Sequence, residues 1–277
     1  MLKSVQLLLS RIRAFIVRDF QLAVSYRMDF FMRVLSILIV TTTFFFVSRI
    51  FVGSTETIFA QWQDPLAAWL TGLAVLNYFM TGFSSLANAI RQEQMQGTLE
   101  SVLLTPISVP VVIMASSAWD FVQATFYSSL YLIFGWLFFD VHYRGSFLLA
   151  LLFLLLTTFV LACLGILSAS FAMVFKRGDP FGIFLGAGSA LFSGVFFPVQ
   201  LLSQYAGNGV ANISRLLPPT YGLDGIRRVL IEGQGFMQVR EPLITLVIFL
   251  AVLLPFSLWV FGRAIRRAKR EGSLIQY

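Results

Sequence analysis

Two rows of polar side chains recur at helical spacing inside stretches that are otherwise apolar. Asn77, Thr81, Ser84 and Asn88 follow i, i+4, i+7 and i+11, and Ser116, Asp120, Gln123 and Tyr127 repeat that spacing. Amides, hydroxyls and a carboxylate on one helix face can do two things in a membrane. They can line a hydrated route for a solute, or they can hydrogen-bond across helices at about 0.6–2 kcal/mol each. Both readings stand at this level. Asp120 is the only carboxylate inside these apolar stretches. A charge near the bilayer centre costs about 2.5–3.5 kcal/mol on insertion scales, so Asp120 must be paired, protonated or hydrated. A proton relay usually needs more than one such group, which argues against a proton-driven transporter.

Other chemistries find little support. None of the three lysines, Lys3, Lys176 and Lys269, follows the glycine pattern of a phosphate-binding loop, so this chain by itself is not expected to hydrolyse ATP. The lone His142 has no second His or Cys near it for zinc. No G-x-S-x-G is present. The single Cys163 lies in an apolar run, where it reads as a small buried residue, and no intrachain disulfide can form. An enzyme buried in the membrane would have to be built from Asp120 and scattered hydroxyls.

The segment Arg91–Pro106 is a polar insert between two apolar runs. Met95, Leu99, Val102 and Leu103 share a helical face, and Glu93 and Glu100 lie off it. That pattern predicts a short amphipathic helix at the membrane surface, with an acidic side free for a partner. Farther along, Gly182, Gly186, Ala190 and Gly194 recur every fourth residue. Such a face permits close helix approach, within the chain or between two copies. Phe196, Phe197 and Pro198 follow it, and on their own they read as an aromatic belt with a helix-ending proline.

The elements that must position these residues are membrane spans. The chain has 277 residues, 58% hydrophobic and 12% charged, with a mean hydropathy of +0.83. Soluble domains carry about 25% charged residues. A span needs about 20 apolar residues, and six stretches qualify: 31–52, 66–90, 108–139, 146–175, 180–202 and 243–262. Residues 4–28 predict a basic amphipathic helix lying in the interface. No cleavable signal peptide is expected, because Arg11 and Arg13 interrupt the short apolar run before them. With the N-terminus inside, fourteen of the 20 Lys and Arg fall on the cytoplasmic side and six outside. Both termini and the Glu93–Pro106 helix are then cytoplasmic. The net charge of +7 reads as this bias and not as nucleic-acid binding. Residues 203–241 are too polar to span, and glycines 207, 209, 222, 225, 233 and 235 with Pro218-Pro219 suggest a broken hairpin at the outer face. Asp224 and Arg228, one turn apart, are placed to pair there.

Glu93, then Gly97-Thr98-Leu99-Glu100, then Leu103-Leu104-Thr105-Pro106 resembles the signature of the membrane subunits of type-2 ABC exporters. A second block is also similar: Ser193-Gly194-Val195-Phe196-Phe197-Pro198, then Pro218-Pro219-Thr220-Tyr221-Gly222-Leu223-Asp224-Gly225-Ile226-Arg227. The resemblance implies an all-α membrane protein with six transmembrane helices. An interfacial helix (1–30) precedes spans one to five (31–202). A short re-entrant outer hairpin (203–241) leads to span six and a basic cytoplasmic tail (242–277), all one domain over 1–277. It implies that Glu93, Gly97, Thr98, Leu99, Glu100, Leu103, Leu104, Thr105 and Pro106 form a coupling helix that docks on a separate ATPase subunit. That partner would bind ATP and Mg; no cofactor is expected in this chain. Phe196, Phe197 and Pro198 become an outer gate, and a second permease subunit, identical or homologous, meets the first and fifth spans. The setting is lipid: the plasma membrane of a prokaryote, the inner one in a Gram-negative cell. The implied substrate is a drug, a lipid or a lipid-linked glycan. The rival reading is a secondary transporter or channel not driven by ATP.

Overall fold

Long apolar runs with helix-starting residues at their heads build helices. The computed structural model describes residues 20–21, 25–52, 64–95, 109–175, 180–199, 204 and 207–270. Among them are eight helices and no strand: α1 (Arg27–Val52), α2 (Pro65–Met95), α3 (Val109–Phe139), α4 (Phe147–Phe175), α5 (Pro180–Phe192), α6 (Asn208–Leu216), α7 (Pro218–Leu230) and α8 (Arg240–Arg270). The starts are legible locally. The Asp64 carboxylate accepts from the Ala67 N–H at 3.0 Å, capping α2, and Pro65 follows where its missing N–H is harmless. Ser146 accepts from Leu149 at the head of α4. Pro218-Pro219 opens α7 after an extended Leu217. Inside the helices, hydroxyls bond back to the carbonyl four residues earlier: Thr42 to Leu38, Thr81 to Asn77, Thr157 to Phe153 and Ser170 to Ile166. A helix can thus carry a hydroxyl into an apolar setting with its polar groups satisfied.

Five helices are long and apolar enough to cross a membrane: α1, α2, α3, α4 and α8. They cover the expected first, second, third, fourth and sixth spans. Within the expected fifth span, 180–202, α5 covers Pro180–Phe192, turn and bends follow at 193–197, and residue 199 is helical again. Gly194, at φ +82°, takes the backbone into the left-handed region and ends the helix. At 1.5 Å per residue α5 is about 20 Å long, short of the roughly 30 Å hydrocarbon core. Apolar composition continues through 195–197, but the backbone does not.

Helix α2 is the axis of the bundle. Of its apolar window 78% is buried, against 11% for α1 and for α8. It packs on α1, α3, α4, α5 and α7, while α8 lies on α4 and α7. Val75, Phe79 and Phe83, one face of α2, meet Phe153 and Leu161 of α4, Leu223, Ile226 and Val229 of α7, and Leu246 of α8 in the main core. A second cluster joins Leu66, Ala67, Ala68 and Leu70 at the head of α2 to Val141 and Ile231. The small-residue face of α5 turns inward. Gly182, Gly186 and Gly194 are buried, and a methyl on Gly186 would lie 3.0 Å from the Met80 sulfur of α2. The open choice between packing in the chain and packing between copies resolves to the first for this face.

In 203–241, where a broken hairpin is expected, the described residues form α6 and α7, and two of the glycines have a different role from the expected one. Gly207 and Gly233 do sit in turns, at φ +85° and +68°. Gly222 and Gly225 lie inside α7 instead, where they let it touch α4. A methyl on Gly222 would run into Thr157 Oγ1, and one on Gly225 into the Phe153 ring. Spacing alone marks a glycine as a breaker; a helix pressed on its neighbour uses it for contact. The predicted interfacial helix over 4–28 and the segment 96–106 lie almost entirely or entirely outside the described residues.

Candidate functional site

Arg227 stands among the apolar residues of α7, four residues after Leu223 and one after Ile226. Its guanidinium turns toward the head of α2 and the turn after α5. Nε and Nη2 donate to the Ala68 carbonyl at 3.2 and 2.8 Å, and Nη2 also donates to Val195 O at 3.0 Å. Nη1 donates to Gly194 O at 2.5 Å. The next carbonyl, that of Phe196, accepts from the Trp69 indole N–H at 2.7 Å. Three successive carbonyls of the 193–198 turn are therefore held by two side chains. The approach is close because α2 carries Gly72 here: a methyl at that position would lie 2.7 Å from Val195 O and 2.9 Å from Arg227 Nη2. Backbone carbonyls freed by the break after α5 would be costly in an apolar setting. Arg227 and Trp69 satisfy them.

The rest of α7 is anchored on its other sides. Arg144 N–H donates to Leu230 O at 2.8 Å, and Gly145 lies so close to Val229 O that no side chain would fit there. Tyr221 packs on Phe249 of α8 at a ring distance of 6.0 Å. The Asp224–Arg228 pair anticipated from spacing is present at 2.9 Å. An arginine guanidinium stays protonated and keeps every N–H as a donor.

The first polar stripe reaches the seam of α2 and α3 through Asn77, which bonds residues of α3 outside the second stripe. Asn77 Nδ2 donates to Ala124 O at 3.3 Å and to Ser128 Oγ at 3.4 Å, and Ser128 Oγ donates to Ala74 O at 2.6 Å. Tyr78, outside the expected stripe, bonds Thr125. This part of the seam is interhelical glue. The antiparallel register of these bonds places Asp120 at a level between Thr81 and Ser84. Thr81 and Ser84 bond their own helix, at Asn77 O and Met80 O. Asn88 is exposed, while Asp120 and Gln123 are half-buried. Tyr127 is buried with the Arg33 guanidinium 5.7 Å from its ring centre, and Arg33 pairs with Asp29 at 2.9 Å. The side chain of Ser116 lies outside the described set.

Of the gate residues, Phe196 is exposed, Phe197 half-buried and Pro198 buried. The backbone of Glu93 belongs to the last turn of α2; Gly97, Thr98, Leu99, Glu100, Leu103, Leu104, Thr105 and Pro106 lie outside the described residues. Sequence spacing makes Arg227 one more outer-loop charge and gives no role to Trp69 or Gly72. Two signals point further. An arginine stands among the apolar positions of a short helix, and a tryptophan N–H needs an acceptor once buried.

A family model described as "ABC-2 type transporter" matches residues 10–231. No curated protein matches the chain.

Proposed function

Since the chain belongs to the ABC-2 type transporter family, we propose that it is the permease subunit of an ATP-driven exporter. A separate ATPase binds ATP and Mg and docks on the 93–106 segment, and a second permease completes the path. The observation that carries this reading is the continuity of α2. One helix of 31 residues, about 46 Å long, runs from Trp69 and Gly72 beside the 193–198 turn to Glu93 at the head of the coupling segment. A push at the ATPase end reaches the outer turn without crossing a loop. Helices α6 and α7 supply the re-entrant hairpin. Gly222 packs beside Thr157, ten residues into α4, so the start of α7 sits about 15 Å along that span. The short α5 with its turn and this hairpin together fill the place of a regular sixth crossing. Both termini face the cytoplasm of a prokaryotic cell. The substrate is an amphiphile: a drug, a lipid or a lipid-linked glycan.

The test is co-purification with a candidate ABC ATPase subunit from the same cell, then transport in vesicles. Gly97→Pro and Glu100→Arg are expected to abolish complex formation, or to leave ATP hydrolysis uncoupled from transport, with the membrane domain still folded. Normal co-purification and normal transport by both variants would sink the coupling assignment. Transport by this chain in vesicles that hold no ATPase would favour the secondary-transporter reading.

A further inference from the structure

The joint between the 193–198 turn and the head of α2 is bridged by one side chain that reaches both sides. Arg227 holds Ala68 on α2 and Gly194 and Val195 on the turn. It is itself carried by α7, which is fixed elsewhere: Gly222 and Gly225 press it on α4, and Arg144 and Gly145 clasp its end. The turn follows a 13-residue helix and bends at Gly194, φ +82°, and its carbonyls are held by the side chains of Arg227 and Trp69. Two buried hydroxyls flank the joint, Thr71 beside Gly72 and Ser193 beside Gly194. Both lack a hydrogen-bond partner among the described residues. Buried hydroxyls without partners call for a reason, and a second arrangement of the same joint supplies one.

We propose that Arg227 is a releasable latch: it positions the Ser193–Pro198 turn closed against α2, and its release opens this end of the bundle. The latch rests on the outer-gate reading above. The carbonyls it holds across the joint belong to two elements, Ala68 on α2 and Gly194 and Val195 on the turn. It also needs the planar fork of arginine. A lysine is a single point charge and can serve one side of the joint but not both. Gly72 sets the gap from the other side, independently of the arginine.

The experiment uses the complex of this chain with its ATPase and a Val195→Cys substitution. Val195 is 0% exposed, and the native Cys163, 2% exposed on α4, serves as the internal control. Modification of each thiol by a small maleimide is followed by peptide mass spectrometry. Arg227→Lys and Gly72→Ala are each expected to raise the rate at the introduced thiol about tenfold without nucleotide, the loss of roughly one charge-assisted hydrogen bond. Cys163 should stay unchanged. Trapping the Val195→Cys parent with ATP and vanadate should raise its introduced thiol to the same level, and should add nothing in the two variants. An unchanged rate at position 195 in either variant overturns the latch, because both substitutions break one joint. A parallel rise at Cys163 overturns it too, as general loosening. If nucleotide changes the rate at position 195 in no chain while both variants still raise it, the latch stands and the ATP-driven reading falls.

Discussion

At the scale of single residues, the chemistry here is hydrogen bonding under apolar conditions. A carbonyl left unpaired away from water costs about 1–3 kcal/mol, and this sets the worth of Trp69 and Arg227. Trp69→Phe keeps the ring and removes the donor to Phe196 O. Thermal unfolding in detergent should show a stability loss of about 1–3 kcal/mol; an unchanged midpoint would mean water reaches that carbonyl. Asp120 poses a different question. The upper part of the polar seam, Asn77 with Ala124 and Ser128, is taken up in holding α2 to α3. Asp120 and Asn88 lie toward the other end, where the stripe is half-buried to exposed. Asp120→Asn is expected to lower transport of cationic substrates more than neutral ones. Equal rates for both classes would leave Asp120 a packing role.

At the scale of elements, the informative contact is α7 on α4. Gly222 and Gly225 meet Thr157 and Phe153 so closely that no Cβ fits. Gly225→Ala should cost about 1–3 kcal/mol by overpacking. Phe153→Leu should return part of that loss, a coupling that a double-mutant cycle measures. Gly188→Ala is the control. It has open space around its Cβ position on α5 and should gain up to about 1 kcal/mol from helix propensity. A loss at Gly188 equal to that at Gly225 would mean that the α5 face is covered in the assembled protein. The elements also divide by legibility. Long spans were readable from apolar length, and α7 was not. Its 13 residues alternate glycine, proline and charge, which reads as a broken loop until α4 and α8 bury its apolar side.

At the scale of the whole molecule, one chain leaves much apolar surface uncovered. The small-residue face of α5 is used inside the chain, and the opposite face shows Phe184 at 75% and Leu191 at 49% exposure, with Gly188 between them. That face, with α1, is where a second permease is expected. Phe184→Cys in a Cys163→Ala background should cross-link to a second copy in membranes under mild oxidation. Monomer only, with the thiol still reactive, would assign the face to lipid. Orientation has its own check. Cysteines at Asn208 and Gln234 should both react with an impermeant reagent added outside, and labelling only from the cytoplasm would invert the topology and move the coupling segment to the wrong side.

What the residues determined by themselves was the class of solvent and the order of parts. Apolar length places five of the six expected spans and the first part of the other, because each segment in lipid must satisfy its own backbone, a local requirement. The signature residues around Glu93 and Ser193 pointed to the family, which the match over 10–231 bears out. The Asp224–Arg228 pair was legible because i, i+4 spacing is local too. Tertiary structure alone decided where α5 stops, which glycines turn the chain and which admit a neighbour, and that Arg227 spans α2 and the 193–198 turn. Those outcomes depend on what stands across a gap of a few ångströms, from residues as far apart in sequence as Ala68 and Arg227. No spacing within one segment encodes that distance.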